Sequence, residues 1–290
     1  MILVTGASGN VGKAVLPEVA KSRSKHRAMY RSAAEATKAP PGTETVIADF
    51  AKPETLGAAL KGVDAVYLVC SPIPELAQLE GNMIDACAVA SVKHVVLNSA
   101  MGAGDYDKSF PSWHRKVEDK LKSTRRLTHT ILRPNSFHQN VLAFFAETIR
   151  TQGAFYSSMR DLRNSFIDVR DIAAVAAKAL AGGEHFGKIY ELNGPEALNY
   201  TELAAKISKV AGREVKYVDI PMDAQQKAML QQGMPEWLVT ALLDLQRYYL
   251  SGKGGETDGL LQKLLGRAPI KMDEFLAKNA REFRGQAANV

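Results

Sequence analysis

An apolar strand running into a glycine-rich turn and a helix (residues 1–12, MILVTGASGNVG), a long alternation of short apolar runs with stretches of helical periodicity, and strands apolar along their whole length together predict an α/β fold. The class is a Rossmann-like, doubly wound parallel sheet with a smaller helix-rich C-terminal part. Residues 65–69, AVYLV, illustrate the third observation, since a parallel strand covered on both faces needs no polar side.

The first helix is expected over residues 10–21, with Val11, Val15, Leu16 and Val19 at the spacing that packs a helix on a sheet. Gly6, Gly9 and Gly12 bare the backbone at its start, where N–H donors and the positive helix end suit a phosphate. The spacing is GxxGxxG, so its meaning rests on the strand before and the helix after; a tight turn without a ligand is the alternative. Ser8, Asn10 and Val11 belong to the same expected cofactor turn.

A second strand is expected at residues 26–31. In a dinucleotide site the residue closing this strand faces the adenosine ribose, where an acid accepts the 2′-hydroxyl of NAD and repels the 2′-phosphate of NADP. Here the segment reads Tyr30-Arg31-Ser32, and a guanidinium suits a phosphate. NADP(H) is therefore expected over NAD(H), against a reading of Arg31 as a plain surface arginine. Residues 33–42, with Pro40-Pro41-Gly42, read as a loop.

A third strand at 45–48 ends beside Asp49 and Phe50, which are expected near the adenine, with a capping role as the other reading of Asp49. A short helix follows at 51–60. The strand 65–69 feeds Cys70-Ser71-Pro72-Ile73-Pro74, which places Ser71 among the cofactor candidates, and then a helix at 75–90. Strand 94–98 ends at Asn98, which joins the cofactor candidates, and leads into the small-residue loop from Ser99 to Gly104, which leaves room for a ligand. A helix at 113–123, a strand at 128–132, the segment Arg133-Pro134-Asn135-Ser136-Phe137 and a helix at 139–150 complete the regular alternation.

Beyond this the pattern loosens. Asp168 and Asp171 bracket a helix start, Asn199 with Glu202 forms a cap-like pair, and Gly212 closes that helix. The chain is helical from Met222, where Trp237, Leu238, Leu242, Leu245, Tyr248 and Tyr249 form a stripe that reads as core or as cleft lining. The expected division is a nucleotide-binding part over residues 1–155 and a smaller substrate part over 156–290, interleaved with the first.

With 290 residues and 46% hydrophobic content the chain can bury a large core. Its net charge of +6 is scattered, chiefly over solvated helix faces, and no nucleic-acid-binding motif is present. No apolar run is long enough for a membrane span, and with the first strand expected from Ile2 no leader is expected ahead of it. Two cysteines, Cys70 and Cys87, suit a reducing compartment, so the expected location is the cytoplasm; no disulfide and no metal site are expected.

The chain resembles the NmrA-like proteins, an atypical branch of the short-chain dehydrogenase/reductase superfamily. The resemblance rests on GASGNVG at residues 6–12, Arg31, Trp113-His114-Arg115-Lys116-Val117-Glu118, Thr130-Ile131-Leu132-Arg133-Pro134, Phe166-Ile167-Asp168-Val169-Arg170-Asp171 and Asn193-Gly194-Pro195-Glu196-Ala197-Leu198, and it covers essentially the whole length. That branch includes NADP-dependent quinone and triphenylmethane dye reductases, and regulators that bind a dinucleotide without turning it over. Ordinary members of the superfamily use a Tyr-x-x-x-Lys pair. The matching segment here is Phe110-Pro111-Ser112-Trp113-His114, and a phenyl ring cannot move a proton.

The resemblance implies that the glycines hold the pyrophosphate, Arg31 the 2′-phosphate, and His114 the nicotinamide ribose in place of the lysine. Ser99 stands where the superfamily often has a serine or threonine, and with His114 it forms the catalytic candidate pair. Pro134 and Phe137 would press on the nicotinamide, and Phe137, Asn140 and Tyr156 would meet the substrate. The expected activity is NADPH-dependent hydride transfer to an electron-poor small molecule such as a quinone or dye. The alternative is a non-catalytic redox sensor acting through a protein partner; a homodimer is compatible with either.

Overall fold

The computed structural model describes residues 1–285. The chain divides into two compact units, Met1–Pro134 with Val169–Leu192, and Asn135–Asp168 with residue 193 onward. It passes between them at 134/135, 168/169 and 192/193, so the two units are interleaved along the chain.

The first unit begins β1 (Ile2–Val4), α1 (Asn10–Lys21), β2 (His26–Tyr30), α2 (Ala33–Ala36) and β3 (Glu44–Ile47). A 3₁₀ turn at Pro53–Thr55 leads into α3 (Leu56–Ala59), β4 (Ala65–Leu68), α4 (Leu76–Val89), β5 (His94–Asn98), α5 (Ser109–Ser123) and β6 (Thr128–Pro134). The chain leaves for α6 (Gln139–Gln152) and β7 (Ala154–Ser157), then returns as α7 (Val169–Leu180) and β8 (Ile189–Leu192). The seven strands of this unit are all parallel, in the order β3-β2-β1-β4-β5-β6-β8. The order reverses between β1 and β4, and such a reversal opens a crevice at the carboxyl ends of the strands.

Both faces of this sheet are covered. On one, Val66, Leu68, Val95, Leu97 and Ile131 form a core with Leu76, Met83, Ile84 and Cys87 of α4 and Val117 and Leu121 of α5. On the other, α1 packs beside α7, with Val11, Val15, Leu16 and Val19 all buried. The alternation of the two sets along β4 and β5 is the period of two that the pleat imposes.

The second unit holds α6, β7, α8 (Tyr200–Ala211), β9 (Lys216–Asp219), α9 (Met222–Gln231), α10 (Glu236–Leu250), α11 (Leu260–Leu265) and α12 (Met272–Lys278). β7 and β9 pair in parallel, and the core gathers Phe155, Phe166, Leu203, Ile207, Phe275 and Phe283. Phe155 lies within 6 Å, ring to ring, of Phe145, Tyr200 and Tyr217.

Four segments differ from the sequence expectation. Residues 33–42 are not all loop, because Ser32 accepts the Glu35 N–H and caps the short α2. The helix expected at 51–60 is split, its first part being the 3₁₀ turn that starts at Pro53. α5 begins at Ser109, not Trp113: Pro111 falls in the first turn, where a missing N–H costs no helix bond. In α10 the buried side includes Val239, Leu243 and Gln246 with the two tyrosines, while Trp237 is exposed, since Gln246 donates to Ser158 Oγ at 2.6 Å and turns that side inward.

The cap expected at α8 is a full capping box: Asn199 Oδ1 accepts from Glu202 N–H at 2.8 Å, and Glu202 Oε2 accepts from Asn199 N–H at 3.2 Å. Asn199→Ala removes half of it and should lower stability by about 1 kcal/mol, read as a lower urea midpoint at unchanged slope. A midpoint equal to that of the wild type would remove the box from the interactions that hold the second unit.

Candidate functional site

The glycine turn is built by close approach. Thr5 Oγ1 donates to the carbonyl of Tyr67 at 2.9 Å and accepts the N–H of Val69 at 2.9 Å, which pins the end of β1 to the end of β4. Gly6 follows at φ +56°, and a Cβ there would lie 2.9 Å from the Val69 carbonyl oxygen. A Cβ on Gly12 would stand 2.2 Å from the Gly6 carbonyl oxygen, so only glycine lets α1 start this close to the strand. The first intrahelical bond runs from Lys13 N–H to the Gly9 carbonyl, leaving the Asn10, Val11 and Gly12 N–H groups without helix acceptors, while the Gly9 N–H turns back to the Gly6 carbonyl at 2.9 Å. Ser8, Gly9 and Asn10 are exposed on this crest while Ala7, Val11 and Gly12 anchor it from below. Bare donors at a helix N-terminus, with no side chain intervening, fit a pyrophosphate.

Arg31 stands just beyond β2, exposed, and its guanidinium is near enough to Cys70 to favour the thiolate. Burial dominates at that cysteine and, with the charge of Glu80, pushes its thiol well above the ordinary range. Ser71 is exposed beside it at the end of β4. The two residues expected at the adenine are differently placed. Asp49 Oδ1 accepts the Ala51 N–H at 2.9 Å, closing a local turn ahead of the 3₁₀ segment. Phe50 is buried in the core with residues of α3 and α4, and its carbonyl accepts from Asn82 at 2.9 Å.

At the ends of β5 and β6 the structure gathers Asn98, Ser99, His114 and Pro134. Asn98 is buried and its Oδ1 accepts the Tyr67 hydroxyl at 3.0 Å. The Pro134 carbonyl accepts Met101 N–H at 3.1 Å, tying the small-residue loop to β6, and Arg115 Nε holds the same loop through the Ala103 carbonyl at 2.7 Å. Ser99 donates its single hydroxyl proton to Glu118 at 2.7 Å, so only lone pairs are left to face a ligand. Glu118 is fully buried; burial alone would raise its carboxyl, but hydrogen bonds from Arg133 and Ser99 outweigh it and hold the group ionised. Arg133 grips both oxygens, at 2.8 and 2.7 Å, and Lys122 adds a third contact at 3.1 Å.

His114 is buried one turn before Glu118, and its Nδ1 has no hydrogen-bond partner among the described residues. Burial pushes its pKa down to about 4, against the pull of Glu118, so the ring is neutral at pH 7. Phe110, buried one turn earlier, packs edge-on against Trp113 with ring centres 5.2 Å apart. A buried imidazole nitrogen without a partner is a group open to one from a ligand.

Phe137, Asn140 and Tyr156 belong to the second unit. Phe137 bridges Ile167 in a single parallel step and accepts Asn140 N–H through its carbonyl. Asn140 Nδ2 donates to Ser136 at 3.3 Å. Tyr156 is exposed on β7 and donates to Gln152 at 3.0 Å. Among the described residues no three His, Cys, Asp or Glu are placed to hold a metal ion, and no helix is long and apolar enough to cross a membrane.

Three acids of this edge were not legible in sequence. Glu118 sits in the quoted motif, yet its partners come from β5 and β6. Glu35 had one signal, its three-residue spacing from Ser32. Glu80 had none: it is wholly buried on α4, with neither oxygen hydrogen-bonded among the described residues. Burial raises it to about 8, only partly opposed by the backbone of Cys70.

The NmrA-like family model matches residues 1–283. An NAD(P)H azoreductase from Xenophilus azovorans is 35% identical, over 98% of this chain and 99% of its own. Among solved structures, an NADPH-dependent quinone oxidoreductase from Escherichia coli, in complex with NADPH, superposes with a TM-score of 0.89 at 28% identity, over 96% of this chain and 99% of its own. The Citrobacter sp. triphenylmethane reductase complexed with NADP(H) shares the fold at a TM-score of 0.83 and 24% identity, over 97% of this chain and 100% of its own.

The charge state of Glu80 sets a pH dependence. Because its folded pKa, about 8, lies above the ordinary 4.5, its contribution is full below 4.5 and is lost as pH rises toward 8. Glu80→Gln should therefore gain on the wild type across that interval and hold a constant margin above it, in urea midpoints taken at several pH values. Parallel curves for the two proteins would mean that Glu80 titrates as an ordinary carboxyl.

Proposed function

Because the chain belongs to the NmrA-like family, we propose that it is an NADPH-dependent oxidoreductase that delivers hydride to an electron-poor small molecule, such as a quinone or a dye, without a Tyr-x-x-x-Lys pair. The observation that carries this reading is the pairing of a bare, tightly packed glycine turn at the start of α1 with a buried His114 whose Nδ1 has no partner among the described residues, at the position matching the pair's lysine. NADP(H) is the preferred cofactor, through Arg31 at the end of β2. The small-molecule relatives support the same assignment, since the azoreductase and the quinone oxidoreductase are both named for reduction of conjugated acceptors.

The cofactor supplies the hydride when bound; the protein supplies position. Gly6, Gly9 and Gly12 keep the turn bare so that the first-turn N–H groups of α1 meet the pyrophosphate, the Gly9 N–H itself being held by the Gly6 carbonyl, and Arg31 meets the 2′-phosphate. His114, neutral, exchanges a hydrogen bond with the nicotinamide ribose. A ring whose pKa is pushed down to about 4 carries no extra proton at pH 7, so the proton that completes reduction comes from water. Ser99, its proton committed to Glu118, accepts a hydrogen bond and orients; Arg133 keeps that carboxylate from turning away. Pro134 bounds the nicotinamide side, and Phe137, Asn140 and Tyr156 are the proposed substrate contacts. Two free cysteines fit a cytoplasmic location.

Purified protein should oxidise NADPH faster than NADH with a panel of quinones, azo compounds and cationic dyes. Cofactor binding without turnover for any acceptor would instead favour the redox-sensing regulator. His114→Ala should weaken NADPH binding or turnover about tenfold or more, the order expected for losing one buried hydrogen bond. Unchanged Kd and kcat would take His114 out of the site.

A further inference from the structure

In α8, Glu202 turns back to the N–H of its own cap residue, Asn199, as the capping box requires. Ser32 and Glu35 have the same spacing, and Ser32 Oγ accepts Glu35 N–H at 3.2 Å, yet the Glu35 carboxylate goes elsewhere. Its Oε2 takes the backbone N–H of Arg31 at 3.3 Å, and its Oε1 takes the hydroxyl of Ser8, on the glycine turn, at 3.4 Å. Its charge also helps burial raise the Tyr30 phenol. The carboxylate thus reaches from the end of β2 to the crest of the glycine turn. The Arg31 guanidinium, at the same edge, is near enough to Cys70 to favour its thiolate. This is the position where the adenosine ribose of a dinucleotide held by that turn meets the protein, and an acid is already seated there.

We infer that Glu35 sets the balance between the two cofactors, acting against Arg31: its carboxylate accepts from the 2′-hydroxyl of NADH and opposes the 2′-phosphate of NADPH. The inference rests on the dinucleotide reading of the turn. A carboxylate and a phosphate are both acceptors only, so a 2′-phosphate must displace Glu35 from the Ser8 hydroxyl and the Arg31 N–H before it can use them. A ribose hydroxyl, by contrast, donates to Glu35 where it stands. The two bonds are long and half-exposed, so displacement is cheap, and NADPH keeps its preference by a narrower margin than Arg31 alone would give. Glu35 is a specificity residue, distinct from the groups that place the nicotinamide.

The test is the ratio of dissociation constants for NADPH and NADH, measured by calorimetry, with 2′,5′-ADP and 5′-ADP as probes of the adenosine end alone. Glu35→Gln should raise the preference for NADPH about tenfold at low salt, mostly through tighter NADPH binding, with less effect at high salt. The same shift should appear with 2′,5′-ADP against 5′-ADP. Glu35→Lys should raise the preference further, and both variants should melt at the wild-type temperature. A ratio unchanged in both variants, or equal gains for the two cofactors, would overturn the inference while leaving the dinucleotide site intact. Failure of the wild type to bind either cofactor would overturn the dinucleotide reading, and this inference with it.

Discussion

The approach of Gly12 to the carbonyl of Gly6 is the contact on which the rest of the first unit depends. With 2.2 Å between that oxygen and the place of a Cβ, any side chain would push the start of α1 off the end of β1. The helix would then lose its line against α7, and the free N–H groups of its first turn would no longer face the crevice between β1 and β4. Thr5 locks the other side of the same junction by bonding to both the carbonyl of Tyr67 and the backbone of Val69. One arrangement therefore sets both the packing of α1 on the sheet and the bare N-terminus of that helix.

The opposite end of the crevice is organised by charge. A carboxylate as buried as Glu118 is costly unless it is fully bonded, and Arg133 meets it with two hydrogen bonds from the neighbouring strand. Ser99 then has one direction left for its proton. The consequence is functional: the serine at the end of β5 becomes a fixed acceptor, and His114, one turn before Glu118, is left neutral with an unsatisfied nitrogen.

Glu35 and Glu80 show two fates of an acid at the same sheet edge. Glu80 lies under the surface, without hydrogen bonds, and its burial keeps it protonated at neutral pH. Glu35 lies half-exposed between two donors and keeps its charge available to a ligand.

Features set by neighbours along the chain were legible in the sequence: the glycine turn, the parallel strand–helix alternation, the Asn199–Glu202 box and the place of Arg31 after β2. Each depends on periodicity or on residues within one turn of one another, so a linear reading contains the relevant physics. The tertiary structure alone decided that Phe50 packs inward, that Ser99 serves Glu118, that Glu35 reaches 27 residues back to Ser8, and that the chain crosses between its units three times. Those outcomes are set by which side chains meet across strands and helices far apart in sequence, and by how much water the meeting excludes; neither quantity is carried by the local pattern of residues.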